Sequence, residues 1–581
     1  MNDALEHKRH TLAHLLAAAT LKHYPHAKLT LGPAIEDGFY YDIDFAGGEE
    51  KPGEADLAQL EQTMRELLPS WEKFSHEKVS VAEAKKRFKG NSYKLELIDE
   101  IAERDEQITL YTVGDFMDLC RGGHSESPAK DIAPDSFTLD RIAGAYWRGD
   151  EKNPQLTRIY GLAFDTKKEL DEYRAMREEA KKRDHRVLGK ALDLFTFSDL
   201  VGPGLPLWTP KGTVLRHQLD AYVQELRSQY GYTPVTIPHL TKRNLYETSG
   251  HWEKFGDELF RIETREEKEF AVKPMNCPHH TQIFARRPHS YKEMPQRFSE
   301  TTMVYRDEQS GELSGLTRVL SITQDDSHVF CRQNQIKEEF FKVWDIVDTF
   351  YSTFGFTVKV RLSFHDPKTP EKYLGTEAIW KSAEDALRDI AKERGADYFE
   401  APGEAALYGP KLDFMATDSL GRQHQVATIQ LDMNLPERFD LTCINEQGEK
   451  ERIAIIHSAT MGSIERFLAV LIEHLNGAFP LWLSPVQVKV LPVSEKHAKY
   501  ADKVTAQLKD AGFRVELDAS DESLGKRIRT AKLEKVPYFF IAGDKEFEAG
   551  TVTVESRDGE SASKDVAEAV KELLEKTKKR Q

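Results

Sequence analysis

His10 and His14 stand four residues apart in EHKRHTLAHLLAAATL, a spacing that puts both imidazoles on one face of a helix, where they could share a metal ion or a substrate. In a chain with 20 histidines a pair at that spacing also arises by chance, so it gains weight only from a partner. MDLCRGGHSES supplies one: Asp118, Cys120 and His124 flank a glycine pair that permits a tight turn, aiming thiol and imidazole into one pocket. A metalloprotease would carry Glu after the first His, and Thr11 stands there instead. Further on, VYRDEQSGELSGLTRV offers Arg306 and Glu308 on one strand and Arg318 on a return strand across a glycine-punctuated turn. Two guanidinium forks across a hairpin make a clamp for a polyphosphate. In MGSIERFLAVLIEHL, Gly462 precedes Glu465 and Arg466 at the start of an apolar helix, where a nucleotide could approach the backbone closely and meet a third arginine.

The elements that position these groups are legible in outline. At 581 residues the chain predicts several compact units, and 39% hydrophobic with 31% charged residues suits buried cores rather than disorder. No apolar run is long enough for a membrane span and the start has no signal-like stretch, so the expectation is a cytoplasmic protein without membrane contact. Four scattered cysteines exclude a disulfide framework. HTLAHLLAAATL reads as a helix and GFYYDIDF as a strand of a small α+β domain over 1–162. KKELDEYRAMREEAKKRDHR, charged nearly all round, reads as a solvated linker helix within 163–186. Mixed strands and helices over 187–483 form the large central domain, and 484–581 reads as strand, helix, strand, helix, strand with a parallel sheet. The net charge is −16, yet the segment from Pro485 onward holds 19 basic against 18 acidic residues, so the acidity lies in the rest. Lys526, Arg527, Arg529, Lys532 and Lys535 in that segment could line a groove for nucleic acid.

The ordered combination of GYTPVTIP, the Arg306–Glu308 pair and the GxxER helix resembles the three motifs of class II aminoacyl-tRNA synthetases. KPMNCPHH, TQDDSHVF, YGPKLDF, TIQLDMNLP and HSATMGSIERF resemble segments of the threonyl-tRNA synthetases, across nearly the whole chain. The resemblance implies a multidomain α+β protein: an α+β editing domain, a catalytic core on an antiparallel sheet, and an α/β anticodon-binding domain. It implies attachment of threonine to tRNA(Thr) through threonyl-adenylate, with ATP, Mg²⁺ and one zinc ion per subunit of a homodimer. Cys277, His328 and His457 match the zinc ligands, a three-donor set that leaves a position open for substrate. Arg306 matches the α-phosphate contact, Glu308 the adenine contact, Arg318 the outer-phosphate contact and Arg466 the adenine-stacking residue; Lys411 matches a group at the reacting carboxylate. Gln324, Asp326, Tyr408, Gln425 and Gln430 match the lining of the threonine and ATP pockets, with Met275 as a wall, and Arg529, Lys535 and Glu546 match tRNA contacts.

Specificity follows from the open metal position. Threonine can chelate through amino and hydroxyl groups, while valine offers a methyl that cannot coordinate. Serine keeps the hydroxyl, and one missing methyl discriminates by only about 1–3 kcal/mol, roughly 10–200-fold. A second, hydrolytic sieve is therefore required, and the resemblance places it at His10, His14, Asp118, Cys120 and His124, with a positioned water rather than a metal. The chain departs from the family at Ile322, where an aromatic is common, and at Ser520–Gly525, where a typical Arg–Asn pair is Ser–Asp.

Overall fold

The structure is a computed structural model that describes residues 3–45 and 51–580. The chain divides into two compact units, Met1–Glu179 and Ala180–Gln581.

The first unit is built on the helix Asp3–His23. Its Ala- and Leu-rich middle is a strong helix former, and Leu12, Leu15 and Leu16 are buried with the neighbouring alanines because the helix is covered on most sides. It packs on an antiparallel sheet in which Gly38–Asp44 and Phe137–Tyr146 flank Gln155–Ala163, with Phe39, Tyr41 and Ile43 in the core. A second sheet, Ser75–Lys78, Thr109–Val113 and Phe116–Leu119, has its own small core with Ala84 and Ile98 from two helices. The charged helix Lys167–Arg183 buries only Leu170, as its composition requires, yet it is not purely solvated: Tyr173 donates to Asp37 at 2.6 Å and Arg177 to Asp140 at 2.8 Å.

The second unit is organised by an eight-stranded sheet. In spatial order its strands are Thr233–Pro234, Gln296–Tyr305, Ser321–Cys331, Ala454–Ser463, Gln423–Asp432, Lys411–Thr417, Thr357–Phe364 and Tyr398–Pro402. The pairings are antiparallel except at the two edges. The helices Pro210–Ser228, Ile336–Thr353 and Ile464–His474 cover it, closing a core that includes Leu219, Phe350, Leu412 and Phe467.

The C-terminal part starts as expected with Val488–Pro492, Val515–Leu517 and Tyr538–Ala542 in parallel register. The sheet is nevertheless mixed rather than parallel, because Thr551–Ser556 and Ser561–Asp565 add two antiparallel strands. The hairpin geometry accounts for this: the chain reverses at Gly559, φ 96°, a conformation that disfavours any other residue. Among the described residues, no helix is long and apolar enough to cross a membrane.

Candidate active sites

In the central sheet, His328 and His457 are directly opposed across Ser321–Cys331 and Ala454–Ser463, which sets their ring centroids 4.7 Å apart. Cys277, first residue of the helix Cys277–Ala285, completes the cluster; one donor atom of each lies within 4.8 Å of the others, and all three residues are buried. Each imidazole has one nitrogen already committed. His457 Nε2 lies 2.9 Å from Asp432 Oδ2, while Asp432 Oδ1 accepts the N–H groups of Asn434 and Leu435 at 2.8 and 2.9 Å. His328 Nδ1 lies 2.8 Å from His280 Nδ1. The remaining nitrogens and the thiol form a soft, three-donor set that fits zinc and leaves coordination open.

Sequence reasoning missed His280 and Asp432. Both carried a signal: His280 is three residues after Cys277 on the same helix face, and Asp432 two after Gln430 on the same strand face.

Around the cluster, Tyr408 stacks on His457 at 4.8 Å and donates its hydroxyl to Gln430 Oε1 at 2.6 Å. Gln430 is itself opposed to His457 and to Lys411. Gln324, Asp326 and His328 alternate onto one face of their strand, and Asn276 Nδ2 donates to Asp326 Oδ2 at 2.8 Å. Arg306 lies beside Met275, Nη2 to Sδ 3.3 Å, and over the Phe255 ring at 5.5 Å. Buried Gln324 Oε1, Asn276 Oδ1 and Arg306 Nε lack hydrogen-bond partners, as groups awaiting a polar ligand would.

The opposite face of the same strand is structural. Asp325, fully buried, accepts the N–H groups of Thr460, Met461 and Gly462 at 2.9–3.0 Å and pairs with Arg227 at 3.0 Å. Burial pushes its carboxyl up to about 6 against those partners. It thereby fixes the turn at Gly462, φ 74°, where a Cβ would meet the Val426 carbonyl oxygen at 2.9 Å. Glu465 is buried too, accepting the N–H of Thr323 at 2.8 Å and its hydroxyl at 2.7 Å, so that in GxxER only the exposed Arg466 is available to a ligand.

Two expectations are corrected. Arg306 and Glu308 lie just past the strand end at Tyr305, and Arg318 precedes Ser321, so the hairpin arms stop short of these residues because the Ser310–Glu312 turn and the Ser314–Arg318 bridge occupy the chain. Arg318 is paired with Glu308 at 2.6 Å and Glu312 at 3.0 Å. Arg527 cannot line a groove: it is buried and donates to the carbonyls of Pro492, Asp518 and Glu522. Lys526 and Lys532 pair with Glu522 and Glu555, whereas the side chains of Arg529 and Lys535 make no ion pair among the described residues. Glu546 accepts from the Gly543 N–H and the Thr553 hydroxyl, a local cap. Gln425 is held by Arg361 at 2.7 Å, and Lys411 stands 3.3 Å from buried Asp413; Arg361 and Asp413 had no marker in the sequence.

The first unit assembles the other cluster. His10 and His14 share a helix face, and Cys120 Sγ lies 3.5 Å from His10 Nε2 and 3.4 Å from His124 Nε2. Gly122 and Gly123 take φ of 100° and 83°, and a Cβ on Gly122 would strike the Tyr111 hydroxyl at 2.6 Å, so the turn demands glycine. His10 Nδ1 lies 3.1 Å from the Gly123 carbonyl oxygen, which requires a donor there and turns Nε2 toward Cys120. Asp118 is buried between His14 at 3.4 Å, Lys94 at 2.5 Å and the Tyr41 hydroxyl at 2.6 Å.

Burial opposes charge throughout this cluster; the partners overcome it at His14, Asp118 and Cys120, whereas burial keeps His124 below its ordinary value. Hydrogen bonds from His10 and His124, with His14 close by, bring the Cys120 thiol down to about 3; Asp118 and Cys120 raise His14 to about 9; Lys94 and His14 hold Asp118 well below the usual carboxylate range. The cluster opens on a cavity of about 780 Å³. Lys94 was missed, although its place four residues before buried Ile98 on the apolar helix face is the signal of a sequestered lysine. The donor spacing would also admit a metal ion.

Residues 260–475 match the family described as tRNA synthetase class II core domain (G, H, P, S and T), and residues 487–577 match the anticodon binding domain. The chain is 49% identical over 551 residues to a threonine–tRNA ligase of Rubrobacter xylanophilus, covering 94% of this chain and 85% of that one. It is 46% identical over 593 residues to the threonine–tRNA ligase of Gloeobacter violaceus, covering 100% and 93%. A crystal structure described as the RNA binding domain of threonyl-tRNA synthetase from Cryptosporidium parvum aligns with a TM-score of 0.65 at 39% identity, over 68% of this chain and 98% of that one.

Proposed function

The chain belongs to the threonine–tRNA ligase family of class II synthetases, and from that premise we propose that it forms threonyl-adenylate in the central domain, transfers threonine to tRNA(Thr), and hydrolyses seryl-tRNA(Thr) in the N-terminal domain. The observation that carries the synthetic reading is the buried Cys277, His328 and His457 cluster walled by Tyr408, Gln430 and Asp326.

When bound there, zinc supplies a Lewis-acid anchor for the amino and hydroxyl groups of threonine. Asp326 carries the charge complement for the ammonium group, and Tyr408 closes the pocket over His457. The threonine carboxylate then attacks the ATP α-phosphorus; the bond to the β-phosphate oxygen breaks and pyrophosphate leaves. Arg306 neutralises charge developing on the α-phosphate and Lys411 steadies the carboxylate, preorganised cations that need no reorientation during the step. Arg466 stacks on adenine, Arg318 exchanges a carboxylate partner for the outer phosphates, and Mg²⁺ accompanies ATP. In the second step the terminal adenosine hydroxyl of tRNA attacks the carbonyl carbon and AMP departs.

For editing, His10, His14 and Cys120 orient a water at the ester of a serylated terminus, with Lys94 and Asp118 fixing the charge state. Arg529 and Lys535 offer the C-terminal domain's cations to tRNA. The protein works as a cytoplasmic homodimer joined through the central domain, a reading supported by the exposed edge segment Thr233–Pro234.

ATP–pyrophosphate exchange tests the proposal: threonine supports it, serine does so with a penalty of roughly 10–200-fold, and valine does not. Absence of threonine-dependent exchange, or exchange with valine equal to threonine, overturns it.

A further inference from the structure

His185 begins the helix His185–Ala191 that leads into the central domain, and it is buried at 4% exposure. Its ring touches two distant pieces of the ATP machinery. Nδ1 lies 2.7 Å from Glu473 Oε1, and the same oxygen accepts the His185 backbone N–H at 3.1 Å. On the other side of the ring, Nε2 accepts the backbone N–H of Leu316 at 3.1 Å. An amide hydrogen pointing at Nε2 requires a lone pair there, so the proton sits on Nδ1 and is donated to the carboxylate; the two partners together select one tautomer.

Leu316 is the tip of the turn in which Ser314 and Arg318 exchange backbone hydrogen bonds at 3.1 and 3.2 Å, and it is itself anchored in the main core. Arg318 is therefore two residues from the point His185 holds. Gly315 next to it has φ 48°, and a Cβ there would lie 2.4 Å from His185 Nε2, so the turn is shaped to admit this imidazole. Glu473, the other partner, is near the end of the Ile464–His474 helix that begins with Glu465 and Arg466. Its second oxygen accepts from Arg422 at 2.7 Å, and Arg422 is locked in turn onto Asp418 at 2.7 Å.

We propose that His185 is a positioning residue for ATP, bracing the Ser314–Arg318 turn against the helix that bears Arg466 so that the two arginines keep a fixed spacing. This rests on the ATP roles of Arg318 and Arg466 proposed above. The imidazole touches no substrate; it acts through Leu316 and Glu473. It also makes the first residue of the central domain's entry helix part of the nucleotide site. The zinc cluster and its Tyr408 wall are built from other segments and should not respond.

The test is ATP–pyrophosphate exchange by the full chain with His185→Ala, varying ATP and threonine separately. The expected result is a rise in KM for ATP of about fivefold, the loss of one net hydrogen bond, with KM for threonine and zinc content unchanged. Gly315→Ala, which crowds the ring, should give the same split, and His185→Gln, which keeps one donor and one acceptor, should fall between wild type and His185→Ala. A purely structural role would lower the amount of active enzyme and leave both KM values alone, and that outcome overturns the inference, as does a parallel rise in both. If His185→Ala is insoluble, the same reading is taken from His185→Gln, where an unchanged KM for ATP counts against it. Loss of threonine-dependent exchange in the wild type would instead indict the functional reading itself.

Discussion

Replacing Asp432 by Asn changes almost no volume and reverses one hydrogen-bond direction. Asp432 Oδ1 already accepts two backbone N–H groups at 2.8 and 2.9 Å, so an amide at this position keeps its oxygen on that side and turns its NH₂ toward His457. His457 Nε2, which donates to the carboxylate across 2.9 Å, would then face a donor and must become the acceptor. The ring proton moves to Nδ1, the nitrogen that would otherwise carry the ligating lone pair. Loss of such an outer partner typically costs 10–100-fold in metal affinity, or about 1.4–2.7 kcal/mol, and the tautomer reversal puts Asp432→Asn toward the upper end. The assay is zinc competition against a chromophoric chelator, with the KM for threonine measured alongside and circular dichroism as a check on folding. A folded Asp432→Asn protein whose zinc affinity lies within twofold of wild type would refute the reasoning.

The other expectations concern separate parts of the molecule. His10→Ala with His14→Ala should leave threonylation nearly intact while seryl-tRNA(Thr) accumulates; undiminished hydrolysis of added seryl-tRNA(Thr) by the folded variant contradicts the editing assignment. Because the Cys120 thiol is brought down to about 3, its alkylation by iodoacetamide, followed by mass spectrometry, should stay flat from pH 8 to pH 5; an ordinary thiol slows about tenfold per unit below its pKa of ~8.5, and that slope would refute the thiolate. His14, raised to about 9 from an ordinary 6.5, contributes stability in full below about pH 6.5 and loses it as pH rises through 9, so the thermal midpoint of His14→Gln should approach that of wild type above pH 9. Arg529→Glu should raise the KM for tRNA roughly tenfold, the scale of one charge-assisted contact, and spare pyrophosphate exchange; equal effects on both would make Arg529 structural.

What could be read from the chain follows the range of the interactions. His10 with His14, and Cys120 with His124, are local spacings on a helix and a glycine turn, and the fold preserves them. The segment from Pro485 to Ala542 alternates clearly enough to give its first three strands. Ser561–Asp565 is polar and exposed and left no hydrophobic trace, although its partner Thr551–Ser556 alternates with Val552 and Val554 buried. Arg527 counted as a surface cation because a basic residue on a charged helix looks solvated, whereas three carbonyls from other segments claim it. The pairing of Asp432 with His457 was hard to read for the same reason: they are 25 residues apart and only the strand register joins them, although Asp432 shares a strand face with Gln430. Lys94 was a polar residue at an apolar position, a conflict that marks a functional site and could have been recognised as one.

The Ser321–Cys331 strand makes the central site intolerant of a particular class of change. Substitutions along it should have graded effects, since each alters one contact. Insertion of a single residue between Gln324 and Asp325 is different in kind, because the side-chain period is two and the strand is clamped by neighbours on both edges. Such a shift would turn His328 away from Cys277 and His457 and send Asp325, which organises the turn before Arg466, to the face His328 now occupies. The Cys277, His328 and His457 cluster and the placement of Arg466 would fail together, from one insertion that deletes no residue. Length variation in this enzyme should therefore be confined to the turns, such as Ser310–Glu312, and a selection for active variants with random single-codon insertions should return none within this strand.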